Sequence, residues 1–151
     1  LVGGFILFGI LSLLAGIGQS TNELEPVRQA SHPIGGAIAS GNWSVILFVF
    51  LTACVAAPLV EETVFRGLLY RHLRESPRWQ RQTGSILLAT TINSFIFAAI
   101  HPQGWTAIPL LMALAIGFSW AREWRDSLWG PITMHALNNF GVTLILVGLM
   151  L

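Results

Sequence analysis

The chain has 151 residues, of which 54% are hydrophobic and only 10% are charged, and its formal net charge is +1. Soluble domains usually carry about 25% charged residues, so this composition excludes an ordinary water-soluble domain and indicates a membrane protein. All eight basic residues are arginine, and they are not interleaved with aromatic residues, which argues against nucleic acid as a partner. The single cysteine, Cys54, excludes an internal disulfide.

The first half of the chain predicts two membrane spans. Leu1–Gln19 is an apolar run about as long as a bilayer crossing requires, and the polar residues 20–41 predict a loop. A second run begins near Trp43 and continues past Pro58 to about Leu73, and Pro58 either kinks this helix or opens a new one. Both ends of the chain are apolar and the first residue is Leu, as we expect of a segment from a longer polypeptide.

The second half predicts three further spans, which makes about five in an all-α, polytopic transmembrane bundle. The apolar runs cover residues 85–101, 105–121 and 128–151, and two arginine-rich stretches, 71–82 and 122–126, predict loops between spans. We expect one membrane-embedded domain over residues 1–151. The two loops fall on the same side, so the positive-inside rule makes that side cytoplasmic in an integral plasma-membrane or inner-membrane protein.

Two adjacent glutamates interrupt the second apolar run. Glu62 and Arg66 are four residues apart, so on a helix they can form an ion pair, whereas Glu61 has no local cation. An unpaired carboxylate at this position suits a general base or a proton carrier. The alternative is a purely structural buried ion pair, since structural networks also place charges inside proteins.

Polar groups also interrupt two later runs. Asn93, Phe97 and His101 recur every four residues on one face, and His135 and Asn139 have the same spacing. At a rise of about 1.5 Å per residue, Glu61, His101 and His135 lie roughly 18, 25 and 12 Å from the arginine-rich ends, so helix tilt could bring them to one depth. A base, two imidazoles and an amide around one water molecule would form a membrane-buried active site.

Each of these residues also has a structural interpretation. His101 could cap the carbonyl groups at the end of its helix, and His135 with Asn139 could hydrogen-bond between helices. Other hydrolytic chemistries lack their motifs, because the sequence contains no HExxH, no G-x-S-x-G, and no aspartate besides Asp126. Water activated by glutamate and histidine therefore remains the best-supported chemistry.

Three motifs occur in order along these runs. Glu61-Glu62-Thr-Val-Phe-Arg66 fits EExxxR, Phe97-Ala-Ala-Ile-His101 fits FxxxH, and His135-Ala-Leu-Asn-Asn139 fits HxxxN. In these motifs the chain resembles the CPBP family, the CAAX-processing and bacteriocin-processing membrane proteases, also called the Abi family, which includes the type II prenyl-protein endopeptidases. The resemblance covers about residues 43–143.

The resemblance implies a role for each motif residue. Glu61 would be the general base that activates water, supported by Glu62, Arg66 and Phe97. His101 would hold or polarise the water, and His135 and Asn139 would stabilise the oxyanion of the tetrahedral intermediate.

The resemblance does not decide whether a metal cofactor takes part in the reaction. The family is often labelled metalloprotease, and one glutamate with two histidines, here Glu61, His101 and His135, is a known zinc ligand set. The same three side chains could instead bind water directly. We expect membrane lipid and a membrane-associated protein or peptide as partners, the latter either prenylated and CAAX-type or a peptide pheromone, a bacteriocin leader or another membrane protein.

Two other functions fit part of the pattern. A non-catalytic immunity or scaffolding protein of the same fold could hold a peptide in its cavity, and a proton-coupled carrier could use Glu61 as its proton site. Neither function requires His101, His135 and Asn139 together.

Overall fold

The computed structural model describes residues 35–76 and 84–150, and every regular element in those two ranges is helical. In chain order the helices are α1 (Gly35–Ala39), α2 (Trp43–Glu75), α3 (Ser85–Ala99), α4 (Ile108–Arg125) and α5 (Trp129–Met150), with a 3₁₀ turn at Trp105–Ala107. The all-α prediction is confirmed. The predicted first span, Leu1–Gln19, lies outside the described residues, as do most of the following loop and Arg78 and Arg81 of the 71–82 loop.

Three helices are long and apolar enough to cross a membrane: α2 with 33 residues, α4 with its preceding 3₁₀ turn with 21, and α5 with 21 up to Leu149. These helices make the chain an integral membrane protein. Helix α3 has only 15 residues, fewer than the roughly 20 that a perpendicular crossing needs. The predicted span over 85–101 is therefore a shorter apolar helix that ends at Ala99.

Helix α2 is continuous through Pro58, so this proline does not open a new helix. The helix begins after Asn42, whose side chain accepts a hydrogen bond from the Ser44 amide at 3.0 Å. Two π-helical segments, Thr52–Ala56 and Thr63–Leu69, interrupt the α-helical hydrogen bonding. Because proline has no N–H and its ring crowds the preceding turn, the wider turn just before Pro58 accommodates it. Glu61 and Glu62 lie between the two π segments, in Ala57–Glu62.

Proline and glycine shape the connection between α3 and α4. Pro102 follows the end of α3 and cannot continue the helical hydrogen bonding. Gly104 has φ +81°, a left-handed conformation that turns the chain into the 3₁₀ turn.

The prediction of a charged loop over residues 122–126 is wrong for its first four residues. They form the last turn of α4, which ends at Asp126 in a left-handed conformation, φ 45°. Arg122 donates to the Asp126 carboxylate at 2.8 Å. Arginines interact favourably with the partial negative charge at a helix C-terminus, so charge at this position extends the helix instead of ending it.

The chain divides into two compact units. One unit comprises residues up to Ala57 together with those from Ala136 onward, and its buried cluster consists of Ile38, Val49 and Leu146. The other unit is Pro58–His135, and its buried cluster consists of Phe65, Phe97 and Ala115. A single domain over the whole chain stays a prediction.

The buried cluster of the first unit makes a stability prediction. Leu146 is 5% exposed, whereas Leu144 on the same helix is 54% exposed. In a membrane protein the lipid is as apolar as leucine, so Leu→Ala costs stability mainly by removing packing contacts. We expect Leu146→Ala to destabilise the protein by roughly 2 kcal/mol, the lower end of the range for a buried leucine, and to lower its melting temperature in detergent. Leu144→Ala is the matched control, and equal shifts for the two variants would contradict the packing.

Candidate active site

The candidate site is built around the ion pair between Glu62 and Arg66, and the contacts among its glutamates, arginine and histidines lie within Pro58–His135. Both side chains are fully buried, and Arg66 Nη1 donates to Glu62 Oε1 at 3.1 Å. The ion pair predicted from the spacing of four residues is therefore present. Burying two charges is costly unless they are paired and hydrogen-bonded, so each group depends on the other.

The Arg66 guanidinium is held by α4 and by two aromatic rings. Its Nη2 donates to the carbonyl oxygen of Ala115 at 2.9 Å. The guanidinium carbon lies 4.7 Å from the centroid of the Phe97 ring and 5.3 Å from that of Phe118. Cation–π contacts of this length are attractive, and the planar guanidinium suits such stacking. Arg66 thus connects α2, α3 and α4 within the unit.

His135 shares the same glutamate oxygen. Its Nδ1 lies 2.8 Å from Glu62 Oε1, and its ring stacks on Phe118 with centroids 5.0 Å apart and an interplanar angle of 16°. His135 lies in the second turn of α5, which has Pro131 in its first turn, where the missing N–H of proline costs no helical hydrogen bond. The ring is thereby fixed on one edge by a carboxylate and on one face by an aromatic ring.

Glu61 faces both imidazoles. Its Oε2 is 3.6 Å from His101 Nε2 and 3.9 Å from His135 Nε2. His101 lies just beyond the end of α3, and its Nδ1 is within hydrogen-bonding distance of the Phe97 carbonyl oxygen. His101 therefore caps the helix, as its structural interpretation predicted, and also faces Glu61. The structure brings together Glu61, His101 and His135 from three separate segments of the chain.

The hydrogen bonds of the two histidines fix how each ring meets Glu61. In each ring Nδ1 faces an acceptor, the Phe97 carbonyl for His101 and the Glu62 carboxylate for His135, so Nδ1 carries a proton. In the neutral form the Nε2 lone pair then points toward Glu61, and in the protonated form Nε2 donates toward it. Two imidazole nitrogens and a carboxylate oxygen at this spacing can jointly bind one water molecule or exchange a proton with it.

Asn139 lies one helical turn after His135 but belongs to the other unit. Its Nδ2 donates to the carbonyl oxygen of Ala53 at 2.8 Å, in the π segment Thr52–Ala56. An amide nitrogen has two hydrogens, so this bond leaves one for another acceptor. The role predicted for Asn139 stays a prediction.

The distances between the donor atoms test the zinc site that the resemblance implies. Donors bound to tetrahedral zinc at about 2.0–2.1 Å lie roughly 3.3–3.5 Å from each other. Both measured separations from Glu61 Oε2 are longer, at 3.6 and 3.9 Å. Within residues 35–76 and 84–150, no three His, Cys, Asp or Glu side chains have the arrangement of a metal site. The donor types fit zinc but their spacing does not.

Two features of the site have no signal in the motifs. Phe118, which stacks on His135, lies in an apolar run where nothing distinguishes it from its neighbours except the helical spacing of the buried face of α4. Asn93 is fully buried and its Nδ2 lies 3.5 Å from the hydroxyl of Ser119. The period of four residues places Asn93 on the face of Phe97, but the sequence does not identify its partner.

Comparison with known proteins shows which family the sequence matches. The family model described as type II CAAX prenyl endopeptidase Rce1-like matches residues 42–141. The membrane-embedded CAAX protease MroQ of Staphylococcus aureus (strain USA300) is 33% identical over 93 residues, which are 62% of this chain and 36% of MroQ. An uncharacterized 24.3 kDa protein of Escherichia coli is 30% identical over 92 residues, 60% of this chain and 40% of that protein.

The family model extends over all three motifs, whereas the two relatives match over only part of their own length. The aligned residues make up about two fifths or less of the length of each relative. No solved structure matches the chain. The matching family model covers well over half of the chain and contains Glu61, His101, His135 and Asn139. The chain therefore belongs to the type II CAAX prenyl endopeptidase Rce1-like family.

Proposed function

We propose that this protein is an intramembrane endopeptidase that hydrolyses a peptide bond of a membrane-associated protein or peptide, using water activated by Glu61. The observation that carries the proposal is the position of Glu61 Oε2, 3.6 Å and 3.9 Å from the Nε2 atoms of two histidines that come from other parts of the chain. The family match and the name of the relative MroQ support proteolysis as the reaction.

Glu61 begins the reaction as a general base. A water molecule bound between Glu61 and His101 gives a proton to the Glu61 carboxylate while its oxygen attacks the carbonyl carbon of the substrate. His101 orients this water through Nε2, because its Nδ1 is engaged by the Phe97 carbonyl. The attack produces a tetrahedral intermediate with a negatively charged oxygen.

His135 and Asn139 stabilise that oxyanion. In its protonated form His135 donates from Nε2, while Glu62 holds Nδ1 and compensates the charge of the ring. Asn139, which follows on the same face of α5, supplies an amide hydrogen. The intermediate collapses when the proton held by Glu61 passes to the amine nitrogen, the C–N bond breaks, and a new carboxyl group is left on the other product.

The family description points to a prenylated, CAAX-type substrate. Other membrane-associated peptides, such as a pheromone precursor or a bacteriocin leader, present the same peptide bond to the same groups. The arginine-rich ends of α2 and α4 face the cytoplasm under the positive-inside rule. Labelling of single-cysteine variants at Ser76 and Ser127 from each side of inverted vesicles tests this orientation.

Glu61→Gln tests the proposed base. The amide cannot accept the proton, so we expect kcat to fall by about 10²–10⁴-fold on a farnesylated CAAX peptide in detergent, with cleavage followed by mass spectrometry. Thr63→Val, at an exposed position on the same helix, is the control and should leave turnover unchanged. Wild-type turnover in Glu61→Gln would refute the mechanism. Peptide retained by the wild type without any cleavage would favour the non-catalytic binding protein.

His135→Ala tests oxyanion stabilisation. Loss of one oxyanion donor typically costs about 10²–10³ in kcat, and we expect a decrease of at least that size. His72→Ala changes a histidine outside the site and should retain turnover. Because His135 also contacts Glu62, melting temperatures of both variants must be measured, and unchanged turnover in folded His135→Ala would exclude the role.

Removal of metal tests whether zinc takes part. The proposed mechanism activates water with Glu61 and His101 and without a metal, so we expect turnover to persist after dialysis against a chelator. Loss of turnover that one equivalent of zinc restores, together with about one zinc per chain by elemental analysis, would instead establish a metalloprotease.

A further inference from the structure

Helix α2 leaves one backbone carbonyl, that of Ala53, without a donor from its own helix. In the π segment Thr52–Ala56 the amide of Ala57 donates to the carbonyl of Thr52, five residues back. The same hydrogen-bonding register would give the Ala53 carbonyl the amide of residue 58 as its donor. Residue 58 is proline, which has no N–H, so the Ala53 carbonyl is available to a donor from outside the helix.

Asn139 supplies that donor. Its Nδ2 lies 2.8 Å from the Ala53 oxygen, although the two residues are 86 positions apart in the chain. Both residues belong to the unit that comprises residues up to Ala57 and from Ala136 onward. In a membrane-spanning helix a carbonyl without a hydrogen bond is costly, because lipid offers no donor to replace it. The proline thus removes one donor from the carbonyl and the asparagine of α5 provides another.

The neighbouring Asn138 contacts the other end of the same side chain. Its Nδ2 donates to Asn139 Oδ1 at 3.4 Å. A side-chain amide has a donor end and an acceptor end, and only one of its two orientations satisfies both contacts. With Nδ2 on the Ala53 carbonyl and Oδ1 on Asn138, the orientation of the Asn139 amide is fixed. One hydrogen of Nδ2 remains for a further acceptor.

From these contacts we infer that Pro58 and Asn138 are positioning residues, which fix the amide of Asn139 for the reaction. Pro58 acts by leaving the Ala53 carbonyl free, and Asn138 acts by holding the amide oxygen. The inference rests on the proposed function, in which Asn139 donates to the oxyanion, and it extends the site to two residues that no conserved position of the three motifs specifies. Hydrogen-bond donors stabilise an oxyanion best when they are fixed in advance at the place where the charge develops.

Pro58→Ala tests the inference, because alanine restores the missing N–H. The new amide competes with Asn139 for the Ala53 carbonyl. We therefore expect kcat on the farnesylated CAAX peptide to fall by about tenfold or more, with KM little changed. Pro109→Ala is the matched control and should keep the wild-type kcat, because a proline in the first turn of α4 replaces an N–H that has no helical partner.

A double-mutant cycle shows whether each residue acts through Asn139. In the Asn139→Ala background there is no amide to position, so Pro58→Ala should not lower kcat further. Asn138→Ala should behave in the same way, with a lower kcat in the otherwise wild-type protein and no effect in the Asn139→Ala background. A purely structural role would lower kcat in both backgrounds.

Melting temperatures in detergent give a second measurement, which is independent of turnover. Asn139→Ala removes the donor to the Ala53 carbonyl and should lower the melting temperature of the otherwise wild-type protein. In the Pro58→Ala background the amide of residue 58 can satisfy this carbonyl. The same substitution of Asn139 should then lower the melting temperature by less.

Three results would overturn the inference: wild-type kcat in folded Pro58→Ala, additive losses of kcat in the cycle, or equal melting-temperature losses for Asn139→Ala in both backgrounds. Additive losses would mean that Pro58 acts through another group, such as Glu61 on the same helix. These failures leave the proposed function intact as long as cleavage depends on Glu61. A wild type without cleavage would refute the proposed function and the catalytic role together, whereas the melting temperatures would still decide whether Pro58 frees the carbonyl for Asn139.

Discussion

The contact on which the site depends is the buried pair of Glu62 and Arg66. Neither side chain is exposed, and a charge buried without its partner costs about 3–5 kcal/mol. The pair is extended by the Ala115 carbonyl on the arginine side and by His135 on the glutamate side. The extended pair therefore holds α2, α4 and the first two turns of α5 together. The EExxxR motif combines two tasks, because Glu62 organises the helices while Glu61, next to it, remains available for chemistry.

The two glutamates have different partners because of helix geometry. Adjacent residues on a helix point about 100° apart, so one can face the arginine while the other faces elsewhere. Glu62 points into the core, where Arg66 and the aromatic rings of Phe97 and Phe118 surround the ion pair. Glu61 points toward His101 and His135. In the proposed function one glutamate is thus held in the ion pair and the neighbouring one accepts the proton.

Much of this arrangement could be predicted from the sequence, and for identifiable reasons. The all-α fold follows from long apolar runs, and the Glu62–Arg66 pair follows from the spacing of four residues. The meeting of Glu61, His101 and His135 was inferred because polar groups inside apolar runs need partners. The contact between His135 and Glu62 was not inferred, because the spacing of four residues already gave Glu62 a partner in Arg66. Nor was the stacking of His135 on Phe118, because an apolar residue in an apolar helix carries no signal of its neighbour.

The π-helical segment Thr63–Leu69 changes how this helix should be compared with its relatives. The Tyr70 amide bonds to the Phe65 carbonyl, five residues back instead of four, so the segment holds an extra residue in its turn. Tyr70 and Arg74 consequently face the direction that a regular α-helix would give to other positions. Where a relative has a regular α-helix at this point, a one-residue gap in the alignment between positions 63 and 69 keeps the residues after the segment on matching helix faces. Helical-wheel projections drawn through this stretch with a uniform 100° step would misplace the arginine-bearing face.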